Sequence, residues 1–112
     1  MYKVLLLTAL LVPVPLTSYA PELEGLTQFT GNELLEKCES GNTADINVCR
    51  AYIVGARDGG IIAGDKTFET PSDSDAKQLA DVVVKYLKNN PENRHLQAGI
   101  LVMKALRKAF PK

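Results

Sequence analysis

Residues 38–49 read Cys-Glu-Ser-Gly-Asn-Thr-Ala-Asp-Ile-Asn-Val-Cys, and the fold turns on whether this stretch is one element or the joint between two. Ser40-Gly41-Asn42 in its middle is turn chemistry, which argues for a joint. Upstream, Thr30-Gly31-Asn32-Glu33 has the spacing of a capping box and opens a short helix through Leu34, Leu35 and Cys38. Downstream, Thr43 is placed to cap a second helix. Its apolar residues Ile46, Cys49, Ile53 and Ala56 follow the i, i+3, i+7 rhythm of one face, and Gly59-Gly60 lets it stop. Cys38 therefore falls late in the first helix and Cys49 early in the second, where a bridge between them would staple a helical hairpin.

These are the only two cysteines of the chain. A metal site would need more ligands, and the single histidine, His95, is far away in sequence. The spacing is too wide for a redox pair with two intervening residues. The N-terminus supplies the context that favours a disulfide. Lys3 precedes an apolar run from Val4 to Val12, Pro13 and Pro15 end it, and Ser18 and Ala20 are small residues placed for cleavage, although Pro21 is a poor residue to follow one. That is the shape of a secretory signal peptide over residues 1–20, and it is too short for a transmembrane helix. Export puts Cys38 and Cys49 in an oxidising compartment. Closing a loop of about a dozen residues contributes about 3 kcal/mol in the chain-entropy picture.

Residues 21–112 then form one exported domain. The 13 Lys and Arg and 13 Asp and Glu balance, and loss of Lys3 with the leader leaves one net negative charge. No basic field is left to hold nucleic acid or, after cleavage, a membrane surface. At this size stability should be on the order of 5 to 14 kcal/mol.

Past the hairpin, residues 63–74 are polar and turn-rich, with Gly64-Asp65 and Pro71. Ser72 or Ser74 is expected to cap a third helix with Leu79, Val83, Tyr86 and Leu87 inward. Val82-Val83-Val84 alone suggests a strand, but the flanking Ala, Leu, Lys and Gln favour helix. Asn89-Asn90-Pro91 breaks the chain. A fourth helix runs to about Phe110, with Leu96, Met103, Leu106 and Phe110 at helical spacing. The fold class is all-α, a small bundle of about four helices with one disulfide. Ile100-Leu101-Val102-Met103 is apolar on every side, too wide for one core stripe. Either that turn is sandwiched centrally, or Ile100, Leu101 and Val102 meet another chain. A homodimer through these residues is the expectation.

Nothing along the chain reads as catalysis, metal binding or cofactor binding. No nucleophile sits beside a base in sequence, Asp73 and Asp75 look like helix starts, and Glu33 and Glu36 look like a solvated face. Gly55-x-x-x-Gly59 permits close helix contact and is no phosphate loop, since no strand precedes it. A small exported helical binder is what remains.

Three strings carry a resemblance: CRAYIVGARDG (residues 49–59), QLADVVVKYLKNNPENRHL (78–96) and ALRKAFPK (105–112). Together they resemble the Rap/Tai group of type VI secretion amidase immunity proteins, over about Asn32 to Lys112. The resemblance implies a small, periplasmic, mostly helical and often dimeric protein that binds and blocks a peptidoglycan amidase toxin. A small periplasmic chaperone or stress protein is the alternative. Members of the group usually carry a second cysteine pair, where this chain has Glu69, in Phe68-Glu69-Thr70-Pro71, and Lys112. The 63–74 loop is therefore expected to be free of the C-terminus. An amidase cleft is concave and its blocker needs something convex. Two loops qualify as partner-binding: residues 64–73 with Phe68, Glu69 and Asp73, and residues 89–95 with Arg94 and His95. Phe68 is either the anchor of that contact or a side chain folded back onto the core.

Overall fold

The computed structural model describes residues 29–112, so the expected leader, residues 1–20, lies outside the described residues. Four α-helices follow one another: α1 (Gly31–Glu39), α2 (Thr43–Ile62), α3 (Ala76–Asn89) and α4 (Ala98–Ala109), with a 3-10 turn at Pro91–Asn93 before α4. The Val82-Val83-Val84 run is helical, as its neighbours require. All four helices meet in one core, centred on Leu34, Ile53, Leu79, Val83, Leu87, Leu101, Val102 and Leu106, each 0% exposed.

The capping box at the start of α1 forms as read. Thr30 Oγ1 accepts from the Glu33 N–H at 3.3 Å, and the Thr30 N–H donates back to Glu33 Oε2 at 2.8 Å. Cys38 and Cys49 are joined, with Cα atoms 5.1 Å apart, and the bridge staples α1 to the first turns of α2. Three other helix ends differ from the sequence reading. Asn42, not Thr43, caps α2, because its side-chain oxygen reaches the N–H groups of both Ala44 and Asp45. Asp75, not Ser72 or Ser74, caps α3, accepting from the Gln78 N–H at 2.7 Å.

Gly59-Gly60 does not end α2, which continues to Ile62. A glycine pair lowers helix propensity but forbids nothing, and here the stop comes from a Schellman closure further on. The Gly64 N–H donates to the Ile61 carbonyl and the Asp65 N–H to the Gly60 carbonyl, with Gly64 at φ 85°. Nor does the Gly55/Gly59 pair face a helix: a Cβ at either position would meet nothing within 4 Å.

The central element is α4. Ala98, Leu101, Val102, Ala105 and Leu106 are all buried, so the turn that is apolar on every side is sandwiched inside the bundle. The dimer interface expected over Ile100, Leu101 and Val102 is thus corrected: Leu101 and Val102 are spent on the chain's own core, and only Ile100 remains half-exposed. Isolated bridges pin the segments at both ends of this helix, Thr30 pairing with Gln97 and Phe68 with Pro111.

Candidate partner-binding surface

The start of α4 has no side-chain cap of its own. One of its free N–H groups is taken by another element, Ala98 donating to the Phe29 carbonyl at 2.8 Å, and the Tyr52 hydroxyl lies close to Gly99. The Tyr52 ring packs against Phe29, centroids 4.9 Å apart. Burial pushes the Tyr52 hydroxyl above its usual range, with the nearby Gly99 backbone N–H acting the other way. In the Tyr52-x-x-Gly55-x-x-Asp58 piece, then, the tyrosine is a structural brace, while Gly55 and Asp58 face solvent.

The next 3-10 turn and its exit carry Arg94 and His95. Arg94 is half-buried, and its carbonyl accepts from the Asn32 N–H at 2.9 Å, so its backbone serves to dock α1. His95 is exposed.

The loop from Ala63 to Asp75 lies at the other end of α4 and is held closely. Phe68 is 5% exposed and belongs to the core cluster, which corrects its reading as a projecting anchor. A benzyl side chain with an apolar floor within reach gains about 2 to 3 kcal/mol by burial, more than a solvated loop offers it. Nor is the loop free of the C-terminus. The Glu69 N–H donates to the Phe110 carbonyl at 3.0 Å, the Lys112 N–H to the Thr67 carbonyl at 3.3 Å, and Lys112 Nζ lies 3.9 Å from Glu69 Oε2. The two positions read as replacing a cysteine pair are therefore neighbours, with a weak ion pair where a covalent bond would sit. A tighter clasp lies beside them. Arg107 donates through Nη2 to Asp65 Oδ2 at 2.7 Å and through Nε to Thr67 Oγ1 at 2.8 Å, and Thr67 in turn donates to Asp65. The Thr67 hydroxyl and the Arg107 guanidinium hold the Asp65 carboxyl down at about 2, from its ordinary 3.8. Glu69 and Asp73 remain exposed on the loop surface.

The two loops read as separate candidates for partner binding lie apart by the length of α4. Its 12 residues span about 18 Å, and the structure does not bring Arg94 and His95 together with Glu69 and Asp73.

What the sequence reading missed lies at the neck of the longer loop. Ile62 is 86% exposed and Ile61 55%, at the end of a 20-residue helix, with Val48 exposed on the same helix and Ile100 on α4. A signal was present. Continued past Gly60, the stripe Ile46, Cys49, Ile53, Ala56 leaves Ile61 and Ile62 off the inward face, so two β-branched residues must point into water. The described residues also form a cleft of about 280 Å³ between α3 and α4 and a shallower groove along α4 lined by Gly99, Ile100 and Met103. Among the described residues no cluster of His, Cys, Asp and Glu could hold a metal ion, and no helix is long and apolar enough to cross a membrane.

Neither a curated protein nor a solved structure matches the chain. A family model does, that of the Rap1a immunity proteins, over residues 30–111. The match begins at the threonine that caps α1 and ends at the proline that pairs with Phe68, so it takes in every helix described here. The chain belongs to the Rap1a immunity protein family.

Proposed function

We propose that this protein is a periplasmic antidote that binds and blocks a peptidoglycan amidase delivered by type VI secretion. Family membership supplies the class of function, an immunity protein with a cognate effector. The observation that carries the mode of binding is the exposed Ile61–Ile62 pair on the neck between α2 and its loop. Two large apolar side chains left in water on a firmly held corner favour a partner that covers them. Ile62, 86% exposed at the end of α2, projects into solvent, as an active-site cleft requires of its blocker. The Schellman closure and the Asp65–Thr67–Arg107 clasp hold the corner rigid, so little conformational entropy is lost on binding. Val48 and Gly55 extend the exposed surface back along α2. Periplasmic action agrees with the leader read in residues 1–20 and with the Cys38–Cys49 disulfide. A chaperone would bind many unfolded clients weakly, whereas a fixed apolar corner suits one partner.

The test is titration of the purified effector amidase, assayed on peptidoglycan, with the wild-type protein and with an Ile61→Ser/Ile62→Asp variant. Wild type should abolish hydrolysis at one equivalent. The variant should keep its helix content and lose about 2 kcal/mol or more of affinity, roughly 30-fold. An effector that hydrolyses peptidoglycan undisturbed by excess wild-type protein would overturn the reading. Equal inhibition by the variant would move the contact off this corner.

A further inference from the structure

The cleft between α3 and α4 has a floor of Val82, the Tyr86 ring, Ala105 and Ala109, and a rim that includes Lys85 and Lys108. It exists because α4 presents alanines where α3 presents larger side chains, so the two helices cannot close the gap between them. No carboxylate lines it, although the chain has as many acidic as basic residues. Among the described residues neither Lys85 nor Lys108 makes an ion pair, as is also true of Arg50, Lys66, Arg94 and Lys104, but these two stand together on one apolar cleft. The amide of Asn89 adds further donor capacity at the edge, while the Asn90 amide is already committed to the Tyr86 carbonyl at 2.8 Å. An apolar floor beneath two unpaired ammonium groups matches one chemistry, an apolar side chain with a carboxylate beside it. At about 280 Å³ the cleft is at the small end of ligand sites and takes one or two side chains rather than a cofactor.

We propose that this cleft docks an acidic segment of the effector protein, its apolar side chain on the Val82–Ala105 floor and its carboxylate between Lys85 and Lys108. Such docking presupposes the effector-binding role proposed above and adds to it a second contact, outside the Ile61–Ile62 corner. Its mark is electrostatic: the affinity should fall with added salt, because rim charges are screened within about 10 Å at 0.1 M ionic strength.

The experiment measures affinity of the full chain for the purified effector amidase at 50 and 300 mM salt. Three proteins are compared: wild type, Lys85→Glu/Lys108→Glu, and Lys37→Glu/Lys77→Glu, which carries the same charge change outside the cleft. The cleft variant should bind at least about 10-fold more weakly at low salt, with its salt dependence flattened or reversed, while the control stays within about 3-fold of wild type. Wild type that binds while the cleft variant and the control behave alike would overturn the cleft and leave the effector role standing. Wild type that does not bind at all would overturn both. Tyr86→Ala, which removes floor and leaves both lysines, is the second arm; unchanged affinity there, in a folded protein, would likewise count against docking in the cleft.

Discussion

Gly31 and Gly60 show how differently one residue type is constrained at two places. A Cβ on Gly31 would collide with the Leu101 side chain and lie 3.0 Å from the Arg94 carbonyl oxygen and 3.2 Å from its Cα. Backbone cannot yield there, because the same segment hydrogen-bonds the start of α1 through Leu96 and Arg94. A Cβ on Gly60 meets chiefly the terminal methyl of Met103, the far end of a flexible side chain. Gly31→Ala is expected to cost about 1 to 3 kcal/mol by overpacking. Gly60→Ala should be neutral or stabilise by up to about 1 kcal/mol through helix propensity. Urea unfolding midpoints of the two variants check both signs, and similar losses in the two would refute the distinction.

At the scale of elements, the decisive feature is that α4 is held at both ends by segments that are not helical. The Phe29 carbonyl satisfies the Ala98 N–H at its start, and the α2–α3 loop pairs with its C-terminal continuation. The ionic part of the second junction is the Asp65–Thr67–Arg107 clasp. Its pH dependence has a definite sign. The folded carboxyl titrates at about 2, below its ordinary 3.8, so the clasp contributes fully above pH 3.8 and its contribution is lost as pH falls toward 2. Across the neutral range the loop should therefore stay clasped. Arg107→Ala should raise the Asp65 pKa, though not to its ordinary value, since both Thr67 donors remain. Carboxyl NMR titration of wild type and variant reads this directly; an unmoved Asp65 would mean that the guanidinium contact is not formed in solution.

For the whole molecule, the disulfide carries a large share of a small total. Its sequence separation of 11 corresponds to about 3 kcal/mol of loop-closure entropy. Against about 5 to 14 kcal/mol for a domain of this size, its loss removes a fifth to more than half of the stability. Cys38→Ala/Cys49→Ala, or reduction of the wild type, should lower the melting temperature by roughly 12 to 24 °C. Calorimetry with and without reductant tests this, and a shift of only a few degrees would place the stability elsewhere in the core. The remaining hydrophobic burial is concentrated in one cluster that every helix enters, so loosening α1 from α2 is expected to weaken the bundle as a unit.

Where the helices lie, their pairing into hairpins and the cysteine bridge were legible in the residues alone, because each rests on contacts within a few positions. The Thr30–Glu33 capping box, the stripe from Ile46 to Ala56 and the turn between two cysteines all act inside one helix or across one joint. Tertiary contact decided what those local signals leave open. Whether Phe68 projects or folds inward depends on the floor offered by Gly60, at the end of the preceding helix, and Met103, two helices further along the chain. Whether Leu101 and Val102 meet a partner or the chain's own core depends on how many helices surround α4. The neighbourhood of Glu69 and Lys112 follows from a bridge between Phe68 and Pro111 that no local pattern encodes. The exposed corner at Ile61–Ile62 is likewise set by where α2 stops, and that is fixed by a backbone closure at Gly64 rather than by the glycine pair before it. Local propensity chooses an element, but the face it shows to water is chosen by everything packed against its other side.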